Sequence, residues 1–181
     1  MRDVAEQAEQ RRQRFEALAG EVTEPVRRFL ARRTGAADAE DALAETLLAC
    51  WRRLEDVPED NPLPWVYAAA RHCLANVERS RRRQERVAGK IVSLDPPVDH
   101  VPDLPGDPAL AEALAELSAE ERELVRLWGW EQLEPRELAT VLGISANAAA
   151  NRLSRLRAKL RDRRRQDPGG AGHEGSTGGR P

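Results

Sequence analysis

The chain has 181 residues, a net charge of −2, and 40% hydrophobic but only 4% aromatic residues. Its cores must be built from Leu, Ala and Val, which favours helices over sheets. No apolar run approaches the ~20 residues that a membrane span needs, and MRDVAEQAEQRRQRF is too charged for a secretory signal. These features predict a cytoplasmic protein without membrane insertion.

Residues 1–14 read as a solvated helical lead-in. Phe15, Leu18, Val22, Val26, Phe29 and Leu30 then form a helical core stripe. Pro25 inside it predicts a kink, or a restart after Thr23, and Gly35 ends it. Asp38 reads as the N-cap of a second helix in which Leu43, Leu47, Trp51 and Leu54 line one face. Asp41 and Glu45 lie one turn apart on another face. The stretch VPEDNPLP (57–64) is a turn stiffened by prolines at 58, 62 and 64. A third helix is predicted from about Leu63 to Arg86, with Trp65, Ala69, Leu74 and Val77 buried and RSRRRQER at its end.

Residues 89–107 are rich in Pro and Asp and keep no periodicity, so they read as a linker between two domains, 15–88 and 108–165. In the second domain Ser118 and Glu121 form a capping-box pattern ahead of Leu124, Leu127 and Trp128. Pro135 can open a short helix with Leu138, Ala139 and Leu142 on its apolar face. Gly143 supplies a left-handed turn and Ser145 can cap the next helix. Leu153, Leu156 and Leu160 bury one side of that last helix. Two short helices joined by a glycine turn, the second basic, are how a helix-turn-helix presents a recognition helix to the major groove. Residues 166–181 are Gly-rich and read as a disordered tail. The expected fold is all-α: two small helical domains joined by a flexible acidic linker.

Charge is segregated along the chain. Residues 145–165 carry +7 and 71–90 carry +5, whereas 91–121 carry −8 and 36–60 carry −6. Two basic segments flanking an acidic one suggest two DNA contacts and two surfaces that face something else. Asn151 and Arg155 are i,i+4 and can enter a groove together, Asn suiting adenine and Arg guanine. Arg152 and Arg157 fit phosphate, while 163–165 fit a solvated helix end beside the negative dipole. Trp65 and Tyr67 can stack on an unpaired base, with Arg79, Arg81, Arg82 and Arg83 on phosphates. The plainer alternative makes Trp65 core and the arginines a charged helix end. The carboxylates Asp38, Asp41 and Glu45 have no histidine or third-helix carboxylate to complete a catalytic or metal site, so they read as a docking face. Cys50 and Cys73 read as buried thiols, because a metal site with His72 and His100 lacks the ligand spacing. No enzyme activity and no cofactor are expected.

Three stretches resemble the sigma-70 family. DAEDALAETLLACWRRL (38–54) and PWVYAAARHCLANVERSRRR (64–83) are similar to its region 2, and residues 117–161 to its region 4. Two regions and a linker, with nothing between them, are the layout of the extracytoplasmic-function (group 4) sigma factors. The resemblance implies a transcription initiation factor that binds RNA polymerase core through its β and β′ subunits and directs promoter recognition and strand opening. It implies polymerase docking by Asp38, Asp41, Glu45, Trp51 and Arg52. It implies −10 contacts from the loop 57–64, including Asn61, from Trp65 and Asn76, and from Arg79, Arg81, Arg82 and Arg83. It implies −35 contacts from Ser145, Asn147, Asn151, Arg152, Arg155 and Arg157. An unpaired −10 base would flip into a protein pocket at an unstacking cost of a few kcal/mol. The acidic linker would thread the polymerase cleft. Many relatives are held by an anti-sigma factor.

The chain departs from the family pattern at several places. Ala44 and Leu47 replace the usual Gln and Phe, Asn76 replaces an Asp, and Val57 stands where an aromatic is frequent. Loop 57–64 is short. Ala148, Ala149 and Ala150 replace a Thr-Val-Lys pattern, and the missing basic residue at 150 removes a contact worth about 1 kcal/mol. The rival readings are a stand-alone helix-turn-helix regulator of duplex DNA and a degenerate factor that docks on polymerase without opening DNA. The first leaves the match at 38–83 unexplained.

Overall fold

The computed structural model describes residues 2–87 and 116–166, with side chains from Val4 to Val87 and from Glu116 to Asp162. Within them run α1 (Arg2–Ala31), α2 (Ala36–Arg52), α3 (Leu63–Val87), α4 (Ala119–Gly129), α5 (Pro135–Leu142) and α6 (Ala146–Gln166). A single 3-10 turn, Leu54–Asp56, follows α2. No strand occurs among the described residues. The linker expected at 89–107 and the tail from residue 167 lie outside them.

Helices α1–α3 make one unit. Leu18, Val22, Val26, Phe29 and Leu30 of α1 are buried as the periodicity predicts. Pro25 does not break the helix: α1 continues through it, and through residue 15, without interruption. An interior proline costs ~3 kcal/mol, but burying each of the flanking Val and Phe side chains returns about 1.5–3 kcal/mol. Continuing the helix keeps Val22, Val26 and Phe29 on one face, so packing outweighs the proline.

Two predicted faces are shifted. In α2 the buried side is Ala39, Ala42, Leu43, Thr46 and Cys50, and of the expected stripe Leu43 and Leu54 are buried. Leu47 is half-buried, and Leu48 and Trp51 are exposed at 45% and 36%. Small residues let α2 approach α1 and α3 closely, so the largest side chains fall to its rim. Gly35, not Asp38, caps α2, and Asp38 sits in the first turn. In α3 the buried side is Val66, Tyr67, Ala70, Cys73 and Leu74. Leu74 is buried as the periodicity predicts, while Val66 and Ala70 take the places expected of Trp65 and Ala69. Trp65 is half-buried at its edge.

Helices α4–α6 form the second unit. Ser118 and Glu121 make the expected capping box, with Glu121 N–H donating to Ser118 Oγ at 3.2 Å and Ser118 N–H to Glu121 Oε2 at 2.9 Å. Gly143 caps α5 with φ 66° and ψ 35°, a left-handed geometry that glycine adopts without Cβ strain. Ser145 Oγ accepts from Ala148 N–H at 3.2 Å and starts α6. Lys159 then ties α6 to α4 through both Glu121 oxygens, at 2.9 and 2.8 Å.

The two units are docked: their buried apolar residues belong to one core cluster, and ion pairs cross the seam beside it. Arg33, just past α1, is buried, with its guanidinium 3.6 Å from the Phe29 ring centroid. It donates to Phe29 O at 2.7 Å, and pairs with Glu123 of α4 at 3.1 Å and Glu131 at 3.4 Å. Arg32 reaches Glu131 at 2.6 Å and Arg71 reaches Glu123 at 3.4 Å. Arg71 also donates to Val141 O of α5 at 2.7 Å. Burial pulls the Arg33 guanidinium below its ordinary value, while Glu123 and Glu131 push it back.

Removing one partner of a buried ion pair costs ~3–5 kcal/mol, because the other charge stays desolvated. Glu131→Ala is therefore expected to undock the units, raising the radius of gyration in small-angle scattering while circular dichroism retains the helices. An unchanged radius would place the docking energy in the apolar contacts instead.

Lys159 above all, with Ser118, holds the Glu121 carboxyl below its ordinary value. A depressed carboxyl stabilises the fold above the unfolded value of about 4.3, and that contribution is lost as pH falls through the lower folded value. Acid titration of Lys159→Met should show a shallower loss of stability below that pH than the parent chain; identical acid curves would contradict it.

Candidate nucleic-acid and polymerase interfaces

Helix α6 separates its faces cleanly. Ala149, Leu153 and Leu156 are buried against α4 and α5. Asn147, Asn151, Arg152 and Arg155 are exposed. Asn151 and Arg155 stand one turn apart, and Arg155 Nε lies 3.4 Å from Asn151 O. Arg152 sits 4.0 Å from Glu120 at the start of α4. Arg157 lies over the Trp128 ring at 4.6 Å, so its head braces α6 on α4 as well as facing water. Ser145 is spent on capping. Of the three alanines, Ala149 is fully buried and Ala150 is exposed. The small residue at 149 is a packing requirement, whereas 150 is a surface position.

The second basic surface is the end of α3. Asn76, Arg79, Arg82 and Arg83 are exposed. Arg81 pairs with Asp38 of α2 at 3.1 Å and with Glu85 at 2.7 Å. Asp38 and Arg81, which the sequence sends to different partners, thus neutralise each other. Arg82 is 3.7 Å from Glu78. Trp65 lies beneath the Arg53 guanidinium at 5.4 Å. The exposed Asn61 donates to Glu137 of α5 at 2.6 Å. The same carboxylate accepts from Glu134 N–H at 2.7 Å.

The third face belongs to α2. Asp41, Glu45 and Arg52 are exposed beside Leu48 and Trp51. Trp51 meets Phe15 edge-on at 5.2 Å and carries the Arg11 guanidinium at 4.9 Å. An apolar rim between like-signed carboxylates is suited to a protein partner that brings basic and apolar groups.

Several residues at these faces carry no sequence signal of their own. Leu48 lies outside the predicted stripe and is exposed on the α2 face. Arg11 and Arg14 looked like solvated helix charges, yet Arg11 donates to Trp51 O at 2.7 Å and Arg14 bonds the loop after α2. Helical spacing shows neighbours on one helix and says nothing about which loop lies alongside.

No arrangement of three His, Cys, Asp or Glu suited to a metal ion occurs among the described residues. Burial, with Cys73 nearby, pushes the Cys50 thiol up to about 11, and burial also raises Cys73. Both thiols are protonated at neutral pH and are poor nucleophiles. Among the described residues no helix is long and apolar enough to cross a membrane.

Comparison with known proteins agrees with this layout. The family model for sigma-70, region 4 matches residues 108–160. The extracytoplasmic-function RNA polymerase sigma factor SigL of Mycobacterium tuberculosis is 34% identical over 134 residues, covering 70% of this chain and 75% of SigL. Two solved structures share the fold. The sigma factor RpoE of Bartonella quintana, crystallised with the anti-sigma factor NepR, has a TM-score of 0.58 at 23% identity, over 84% of this chain and 98% of RpoE. CnrH in complex with the cytosolic domain of CnrY has a TM-score of 0.53 at 24% identity, over 84% and 88% of the two chains. With two helical units, a helix-turn-helix in the second and this likeness to SigL, the chain belongs to the extracytoplasmic-function sigma factors, the alternative factors that initiate transcription with RNA polymerase.

Proposed function

We propose that residues 15–88 are region 2 and 108–165 region 4, joined by 89–107, and that three faces divide the work. Asp41, Glu45, Trp51 and Arg52, with Leu48 beside them, dock on core polymerase. Asn61, Trp65, Asn76, Arg79, Arg82 and Arg83 hold the −10 element. Asn147, Asn151, Arg152 and Arg155 meet the −35 element. The observation that carries the map is α6, whose polar half is exposed while Ala149, Leu153 and Leu156 fix its back. Asp38 and Arg81 pair with each other between α2 and α3, Ser145 caps α6 and Arg157 lies on Trp128, and these four take secondary roles.

The chain supplies no chemistry of its own in this reading, and phosphodiester formation belongs to the polymerase. It acts where polymerase acts, in the cytoplasm. The structures of the two similar sigma factors each contain a second protein, an anti-sigma factor in the RpoE case, and we extend that class of partner to this chain.

The docked arrangement has a cost for promoter binding. Elements at −10 and −35 lie about 25 base pairs apart, roughly 85 Å at ~3.4 Å per pair. Asn61 cannot remain bonded to Glu137 of region 4 while both elements are read. The units therefore separate on the polymerase, and the ion pairs at the seam exchange for contacts there.

Transcription from a promoter library with purified core polymerase, with and without this chain, tests the function. Asp41→Lys should reduce affinity for core at least tenfold, the scale of a 1.4 kcal/mol loss, with unchanged thermal stability. Unaltered core binding would remove Asp41 from the docking face. Arg155→Ala should weaken binding to the preferred −35 duplex by about 1–3 kcal/mol and relax the base preference there. An equal loss on unrelated duplexes would reassign Arg155 to phosphate.

A further inference from the structure

The first half of α1 lies along the end of α2 and the loop behind it. Arg14, side chain 31% exposed, makes three bonds into that loop. Its Nη1 pairs with Glu55 at 2.9 Å, its Nη2 donates to Val57 O at 3.2 Å, and its Nε pairs with Glu59 at 3.2 Å. Glu55 and Glu59 are 75% and 78% exposed, so neither is held by burial. Val57 between them is 4% exposed and anchors the loop in the core. One guanidinium thus grips alternate residues on both sides of a buried anchor. Its planar fork gives direction as well as charge. Beyond the grip the loop is stiff, with prolines at 58 and 62; it carries Asn61 and leads into the first turn of α3, where Trp65 stands. Little else ties residues 58–60 to the protein, and all three are exposed.

We propose that Arg14 is a positioning residue for −10 recognition, setting the path of loop 55–61 so that Asn61 and Trp65 meet the unpaired strand in one geometry. The proposal rests on the assignment of Asn61 and Trp65 to the −10 element. Arg14 touches no DNA in it. An isolated exposed ion pair contributes little, whereas three bonds from one side chain to one short loop restrict its conformers together. A base pocket tolerates little displacement, since a shift of about 1 Å can cost 100-fold in a positioned reaction. Losing the grip therefore blurs base preference before it lowers total output.

The test uses holoenzyme assembled from the full chain and core polymerase, transcribing a promoter library randomised across the −10 element. Transcripts are counted by sequencing, so preference is a ratio independent of the amount of active enzyme. Arg14→Ala should reduce the preference for the best −10 base by about fivefold or more, the lower end of what one mismatched pair costs, and leave the −35 preference intact. A general folding defect would lower all transcripts and leave the ratios unchanged. Glu55→Ala with Glu59→Ala removes both side-chain partners of the grip at exposed positions, leaving only the Val57 carbonyl, and serves if Arg14→Ala fails to fold; it should flatten the same ratios. Unchanged −10 ratios in Arg14→Ala, or in the double variant should Arg14→Ala not fold, overturn the proposal. Trp65→Ala and Asn61→Ala are the controls. If they too leave −10 preference unchanged, the underlying assignment is what fails.

Discussion

The buried guanidinium of Arg33 ties the two halves of this molecule together across their shared apolar core. Arg33 leaves water at the end of α1, where its charge meets the carbonyl of Phe29 and the carboxylates of Glu123 and Glu131. A desolvated cation is tolerable only with such partners. Both carboxylates come from the other half of the chain, so the unit that buries the arginine cannot satisfy it alone. Tyr67, stacked on Phe29 at 4.7 Å, feels the same seam: burial first, then Glu131, pushes its phenol up to about 12. Arg32 and Arg71 add outer pairs, and Arg71 fixes α5 across α3 by its bond to Val141 O.

That geometry decides which faces remain available. The polar half of α6 points to solvent, as does the α2 face with Leu48 and Trp51. The loop before α3 is different, because Asn61 is bonded to Glu137. On the proposed assignment the −35 reader is ready for DNA while the −10 reader is engaged by its neighbour. Ion pairs suit such a seam. They give orientation at modest net stability, and new charged partners can displace them more readily than a large apolar contact.

Much of the candidate site was legible in the sequence because it depends on local chemistry. Gly143 needs a left-handed backbone, Ser145 needs only the N–H of Ala148, and Ser118 needs only Glu121. The leucines of α6 fall where a 3.6-residue period puts them. The buried faces of α2 and α3 agree with the expected stripes at Leu43, Leu54 and Leu74 and differ at Leu47, Trp51, Trp65 and Ala69, because residue size alone does not select the core. Close packing instead chose Ala39, Ala42 and Ala70, which let three helices approach. Trp51 and Leu48 were thereby displaced to the rim. Pro25 was read by its local cost, which the burial of Val22, Val26 and Phe29 exceeds.

By itself the sequence determined the all-helical class, the helix-turn-helix with its exposed Asn151 and Arg155, the buried thiols and the sigma-70 resemblance. Each follows from composition, spacing or motif, properties that a linear pattern carries. Only the tertiary structure decided that Arg33 is buried between two distant glutamates, that Asp38 and Arg81 pair, that Glu137 holds Asn61, and that Arg14 grips the loop after α2. The physical reason is common to all four. Whether an arginine or a carboxylate is solvated or paired depends on what another element brings within ~4 Å, and no periodicity within one helix encodes that.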